Sequence, residues 1–256
     1  MSPVFLSIIM PALNEQKNIL SAINNTLKAF EAFKVDGEIV IINDGSSDKT
    51  LELVKELMSK EGNRIRLINH ETPQGIGVSF WDGILNARGE IVCMLPGDDE
   101  NDPYEIFRYL KLLDEVDMVI PFVYNKRDRT LFRNILSFFL LKILNSTFGT
   151  SFNYPHGTVL YRRSILSDLD YRSSSFFFQA DILIRLAKRG YLFAEVPYRL
   201  GSRKIGKSKA TTFSNSLQVI KEYLKLVYDI YFGKKEKSKR YKFTQGCASA
   251  QRYKKS

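Results

Sequence analysis

The sequence predicts an α/β protein with a mostly parallel central sheet flanked by helices. Three observations carry that expectation. Short apolar runs alternate with helical patterns through the first half of the chain. The connections between them are short, as in repeated strand–loop–helix units. The apolar runs are bounded by polar, Gly-containing loops, which marks them as buried strands rather than pieces of longer helices.

In order, Phe5-Leu6-Ser7-Ile8-Ile9-Met10 is the first strand. Pro11-Ala12-Leu13-Asn14-Glu15 forms its loop, and a helical pattern runs from about Lys17 to Phe33. The second unit is the strand Glu38-Ile39-Val40-Ile41-Ile42, the loop Asn43-Asp44-Gly45-Ser46-Ser47-Asp48 and a helix from about Thr50 to Lys60. Arg64-Ile65-Arg66-Leu67-Ile68-Asn69 is the third strand and precedes a Gly-containing loop and another helix. Glu90-Ile91-Val92-Cys93-Met94-Leu95 is the fourth. It ends in a Gly and a knot of acids, Asp98, Asp99, Glu100 and Asp102. Asp102 is placed to cap the next helix, with Pro103 at its first position.

Ligands of such sheets lie beyond the carboxyl ends of the strands. Glu15, Asp44 and the Asp98/Asp99 pair all fall at such ends, so three acidic loops share one rim. Crowded carboxylates repel one another unless a cation sits among them. A divalent ion carrying a diphosphate is the natural occupant, since hard oxygen ligands suit Mg²⁺ or Mn²⁺. The bland alternative is a solvated acidic turn ahead of a helix.

At this point the sequence resembles a known family, the inverting family 2 glycosyltransferases of GT-A fold, and within it the dolichyl- or polyprenyl-phosphate sugar transferases. Pro11-Ala12-Leu13-Asn14-Glu15 stands where the family has Pro-x-Tyr-Asn-Glu, and Asn43 to Asp48 stands for Asp-Asp-Gly-Ser-x-Asp. Gly75-Ile76-Gly77, Gly83 and Ala87-Arg88-Gly89 match its Gly-Leu-Gly region, and Leu95 to Glu105 its metal-binding segment. Phe178-Gln179-Ala180-Asp181, expected just ahead of a helix from Ile182 to Lys188 with N-cap as the alternative role of Asp181, resembles Phe-Gln-x-Glu. Glu195-Val196-Pro197, followed by Arg203, Gly206, Ser208 and Lys209, resembles the closing pattern of the subgroup. Four departures stand out. Gly97 replaces the first Asp of Asp-x-Asp, Leu13 replaces a Tyr, Pro73-Gln74 stands where a Lys is common, and Asp181 replaces a Glu.

The resemblance implies a glycosyltransferase that moves a hexose from a nucleotide sugar to a polyprenyl phosphate with inversion. A divalent metal (Mg or Mn) is implied as cofactor, held by Asp98, Asp99 and Asn101. Pro11, Leu13, Glu15, Asp44, Asp98 and Gln179 would bind the nucleotide sugar. Asp99, Asp181 and Arg203 would carry catalysis. Arg127, Arg129 and Arg133 on one side, and Ser208 and Lys209 on the other, would position the acceptor phosphate. Two other readings stay open. Transfer to a sugar hydroxyl would need Asp181 as base, and a degenerate metal site would suit a non-catalytic nucleotide-sugar-binding protein.

The chain has 256 residues, 44% of them hydrophobic, enough for one moderate domain with a sizeable core. Residues 1–212 are expected to form that domain, 213–232 an amphipathic helix at a membrane surface or an oligomer contact, and 233–256 a disordered tail. The net charge of +10 is unevenly spread. Residues 1–120 carry 11 Lys/Arg against 20 Asp/Glu, whereas 121–256 carry 27 against 8. The tail alone has 9 Lys/Arg and one Glu. No nucleic-acid-binding motif accompanies the basic balance. Two cysteines fit neither a disulfide framework nor a zinc site, and His70 and His156 lack metal-ligand spacing. With no signal peptide and no long apolar run, the expected location is cytoplasmic, peripheral at the cytoplasmic face of an anionic membrane. Leu131 to Phe148 and Leu217 to Phe232 are the candidate contact segments. The alternative is that they pack on the sheet or form a homo-oligomer interface.

Overall fold

Among the described residues, seven strands form one sheet in the order β3-β2-β1-β4-β6-β5-β7. They are β1 (Leu6–Ala12), β2 (Gly37–Asp44), β3 (Ile65–His70), β4 (Ile91–Met94), β5 (Met118–Val123), β6 (Leu160–Arg162) and β7 (Phe193–Tyr198). The helices are α1 (Ile19–Ala32), α2 (Thr50–Glu61), α3 (Ile76–Asn86), α4 (Pro103–Phe107), α5 (Leu131–Phe148), α6 (Arg163–Leu166), α7 (Phe178–Lys188) and α8 (Phe213–Tyr231). This computed structural model describes residues 4–125, 131–155, 157–169, 171–199 and 213–233, without the side chains of 131–137 and 213–217.

Among the described residues only β6 runs against its neighbours β4 and β5; the other pairings are parallel. Six strands therefore present their carboxyl ends at one edge. Each residue of β1 and β2 is buried, as expected for strands covered on both faces. Their side chains alternate between two cores. Ile9, Val40 and Ile42 face Phe80, Trp81 and Ile84 of α3, together with α7 and Leu226 of α8. Leu6, Ile8, Met10, Ile39 and Ile41 face Ile19, Ile23, Leu27 and Phe30 of α1, with Val54 and α4. This is a three-layer sandwich, as the alternation of period two demands.

Two boundaries differ from the sequence expectation in ways that matter for function. β2 runs on to Asp44, because Asn43 and Asp44 pair with Asn69 and His70 of β3. α7 begins at Phe178, so Gln179 and Asp181 lie in its first turn rather than ahead of it. Asp181 is thus no N-cap. The expected cap at Asp102 is present, its carboxylate accepting from the Tyr104 amide at 2.9 Å.

Candidate active site

The rim is held together by side chains that cross between loops. Asn14, in the left-handed region at φ 58°, donates its amide to Ser46 Oγ at 2.9 Å and accepts from the Ser47 amide at 2.8 Å. The Glu15 amide donates to Thr50 Oγ1 at 2.9 Å, and the Gln16 amide to Asp48 at 3.1 Å. Burial pushes the Asp48 carboxyl up, but bonds from the Thr50 hydroxyl and amide and from Gln16 outweigh it and leave it below its ordinary value. The β1 and β2 loops therefore form one unit. Glu15 itself accepts from Asn18 at 2.8 Å. Pro11 lies in β1 and its carbonyl accepts the Gly97 amide at 3.0 Å, which ties β1 to the acidic loop. Leu13 is half-buried beside it.

Asp44 is the most heavily engaged of the predicted residues. Oδ1 accepts from His70 Nδ1 at 2.8 Å and from the Gln74 amide at 2.7 Å, and Oδ2 from the Gly75 amide at 2.9 Å. His70 bridges onward, its Nε2 lying 3.0 Å from Asp82 of α3. The carboxylate thus holds residues 74–75 against the end of β2. Gly45 makes that approach feasible: its φ is +68° and a Cβ would sit 2.5 Å from the backbone nitrogen of Pro73.

The acidic knot after β4 is dispersed. Asp99, another left-handed residue at φ 59°, turns onto α1, where Ser21 and Asn25 donate to its two oxygens at 2.6 and 2.9 Å. Asn101 Oδ1 accepts from Thr158 at 3.0 Å and Tyr198 at 3.4 Å. Asp98 accepts from the Glu100 amide at 3.2 Å within its own loop. Neutral donors from α1 and a backbone amide thus engage the Asp99 and Asp98 carboxylates. A Cβ on Gly97 would lie 2.7 Å from Ile19 Cδ1 and 3.2 Å from Ala12 Cβ, so the loop's shape depends on a glycine there.

Gln179 and Asp181 are both buried in the first turn of α7. A short turn leads from α7 into β7, so the start of the helix faces the carboxyl edge of the sheet. A close contact ties that region to the Asp44 loop: a Cβ on Gly77 would meet Ser174 backbone at 2.5 Å. Asp181 is 1% exposed. Its Oδ2 accepts from Arg185 Nε at 2.9 Å, while Oδ1 has no hydrogen-bond partner among the described residues. Burial pushes its carboxyl up to about 6, with Arg185 opposing and Glu222 and Asp229 adding to the rise.

Arg127, Arg129, Arg203, Ser208 and Lys209, the side chain of Arg133, and His156 lie outside the described residues. Sequence reasoning missed His70, Asp82, Ser21 and Asn25, the groups that hold Asp44 and Asp99. Arg185 was legible, since it stands one helical turn after Asp181.

The family model for glycosyl transferase family 2 matches residues 7–170. The chain belongs to that family. Two curated relatives are undecaprenyl-phosphate 4-deoxy-4-formamido-L-arabinose transferases. The one from Edwardsiella ictaluri (strain 93-146) is 26% identical over 207 residues, and the one from Enterobacter sp. (strain 638) 27% over 206. Each alignment covers 80% of this chain and 62% of the relative, so the chain spans about three fifths of their length. Among solved structures, glucosyl-3-phosphoglycerate synthase from Mycobacterium tuberculosis with Mg²⁺ and uridine diphosphate gives a TM-score of 0.67. It is 19% identical, over 88% of this chain and 79% of that one. The same enzyme with Mn²⁺, UDP-glucose and phosphoglyceric acid gives 0.66 at 20% identity, over 88% and 80%. That likeness establishes the GT-A fold for this glycosyltransferase family member.

Among the described residues, no group of three His, Cys, Asp or Glu is disposed to hold a metal. The donors present still fit one kind of metal. Mg²⁺ and Mn²⁺ that arrive with a diphosphate need only one or two protein carboxylates, the remaining oxygens coming from phosphate and water. Asp98, half-buried at the end of β4, supplies one such carboxylate.

Proposed function

We propose that this chain transfers a hexose from a nucleotide sugar to a polyprenyl phosphate, with inversion, at the cytoplasmic face of a membrane. The observation that carries the polyprenyl-phosphate acceptor is the alignment of both undecaprenyl-phosphate transferases over 80% of the chain; the sugar in their names is a pentose, so the hexose rests on the motif resemblance alone. Two exposed apolar helix faces support it. Phe138, Phe139, Leu140 and Ile143 of α5, and Ile220, Leu224 and Tyr228 of α8, are all more than half exposed. The helices are joined by a 2.7 Å Thr147–Tyr223 hydrogen bond and by Phe148 against Tyr223 and Tyr231. A lipid acceptor needs such a surface nearby, and the basic stretch beyond residue 233 suits anionic headgroups. Among the described residues no helix is long and apolar enough to cross a membrane.

Asp98 would hold the divalent metal, with Asp99 fixing the loop from α1. When bound, the metal acts as a Lewis acid for the leaving diphosphate. Asp44 and the amides it gathers shape the nucleoside end of the cleft, beside Pro11, Leu13 and Glu15. The acceptor phosphate is already ionised near neutral pH, so it needs orienting cations rather than a strong base. Arg203 and Lys209 are assigned that task, with Arg127, Arg129, Arg133 and Ser208 as supporting groups. Gln179 and Asp181 are assigned to the transferred sugar, where the unpartnered Oδ1 can accept from a sugar hydroxyl.

One observation favours a second reading, transfer to a sugar hydroxyl with Asp181 as base. A carboxyl near 6 with an unpartnered oxygen is tuned for proton transfer. Asp181→Asn separates the two. With a phosphate acceptor, turnover survives at reduced rate and Arg203→Ala is the more damaging change. With a hydroxyl acceptor, Asp181→Asn abolishes turnover while donor binding persists.

A further inference from the structure

The polar groups of α8 do not all face water. Arg185 donates through Nε to Asp181 at 2.9 Å and through a terminal nitrogen to Asp229 of α8 at 2.7 Å. Lys225, one turn earlier on α8, donates to the same Asp229 oxygen at 2.7 Å. Tyr171 closes the cluster. Its hydroxyl donates to Glu222 at 2.8 Å, and the Arg185 guanidinium and Lys225 ammonium lie 5.1 and 4.0 Å from its ring. Asp181 is thus joined to α8 by one shared guanidinium, whose planar fork fixes both carboxylates at once.

We propose that Asp229 is a positioning residue for Asp181, acting through Arg185 to fix the orientation and charge of the buried carboxylate from the neighbouring helix. The inference rests on the reading of Asp181 as a sugar-site group. The charged and titratable groups around it are Tyr171, Arg185, Glu222, Lys225 and Asp229. Their signs give opposite expectations for two surface-side variants. Asp229→Asn removes a like charge and releases Arg185 wholly to Asp181, so the Asp181 carboxyl titrates at lower pH. Lys225→Gln removes a cation, leaves Asp229 with Arg185 as its remaining partner among those named and strengthens its hold on Arg185, so Asp181 titrates at higher pH.

The test follows the Asp181 carboxyl by ¹³C NMR titration of the full chain, alongside pH profiles of turnover with a nucleotide sugar and a short polyprenyl phosphate. The expected result is a downward shift of the midpoint in Asp229→Asn, an upward shift in Lys225→Gln and a return toward wild type in Asp229→Glu. In turnover, the Asp229→Asn kcat falls about 10-fold with donor KM unchanged, short of the ~100-fold cost of a 1 Å misplacement. Midpoints that coincide with wild type, or that move in the same direction in both variants, overturn the proposal. Should Asp229→Asn fail to fold, Lys225→Gln decides by its sign alone. Absence of turnover in the wild type would count against the glycosyl-transfer reading and leave the NMR result to judge the coupling.

Discussion

Replacing Asp44 by Asn asks whether this carboxylate serves the protein or the donor. Asp44 accepts three hydrogen bonds, from His70 and from the Gln74 and Gly75 amides. Asparagine keeps one oxygen. Placed at the Oδ1 position, it retains His70 and Gln74 as donors but sets its own NH₂ against the Gly75 N–H, formerly bonded at 2.9 Å. One charge-assisted bond, worth about 1.5–3 kcal/mol, is lost, and the Gly75 amide is left facing another donor. The expected destabilisation is ~2–3 kcal/mol, a large fraction of the 5–15 typical of a domain but not enough to unfold most. Urea unfolding measures it, and calorimetric titration with a nucleoside diphosphate and Mg²⁺ measures the cleft. Both are expected to weaken together, because residues 74–75 are released. A loss of binding with stability unchanged within about 0.5 kcal/mol would refute this account and assign Asp44 to the nucleoside directly.

Other expectations follow from single contacts. Gly97→Asp, which restores the family's acid, is expected to cost at least the ~1–3 kcal/mol of overpacking against Ile19 and Ala12 and to gain no metal affinity, checked by thermal melts and Mn²⁺ titration. Asp181 binds a proton more tightly folded than unfolded, since its carboxyl moves from 3.8 to about 6. Its contribution to stability is therefore present below pH ~4 and is lost as pH rises to ~6, by at most about 3 kcal/mol. Unfolding free energies of wild type and Asp181→Asn across that window are expected to differ by this slope. Replacing Phe138 and Phe139 by Ser is expected to weaken sedimentation with anionic vesicles by roughly 10-fold per ring, given the ~1.5–3 kcal/mol of a fully buried apolar side chain. Catalysis on a soluble short-chain acceptor should be unaffected.

The parallel half of the sheet was legible because β1 and β2 carry unbroken apolar runs, Ile8-Ile9-Met10 and Ile39-Val40-Ile41-Ile42, and end in polar loops of distinctive composition. The three acidic loops were correctly read as strand ends, since strand direction alone fixes the edge at which they emerge. What the acids do there was not legible. Asp99 is turned onto Ser21 and Asn25 by a left-handed backbone, and Asp44 faces amides more than two dozen residues away in the chain. Long-range hydrogen bonds leave no periodic trace in a sequence. The antiparallel strand β6 is only three residues long, too short for a pattern. On α8, Glu222 and Asp229 meet Tyr171 and Arg185, contacts of the same long-range kind.

The most direct test of the central claim is nucleoside diphosphate release from a panel of nucleotide sugars, with Mg²⁺ or Mn²⁺, with and without a short polyprenyl phosphate. Release that requires both lipid phosphate and metal, and that disappears in Asp98→Ala, is the predicted result. Donor binding with no lipid-dependent release from any sugar would contradict it.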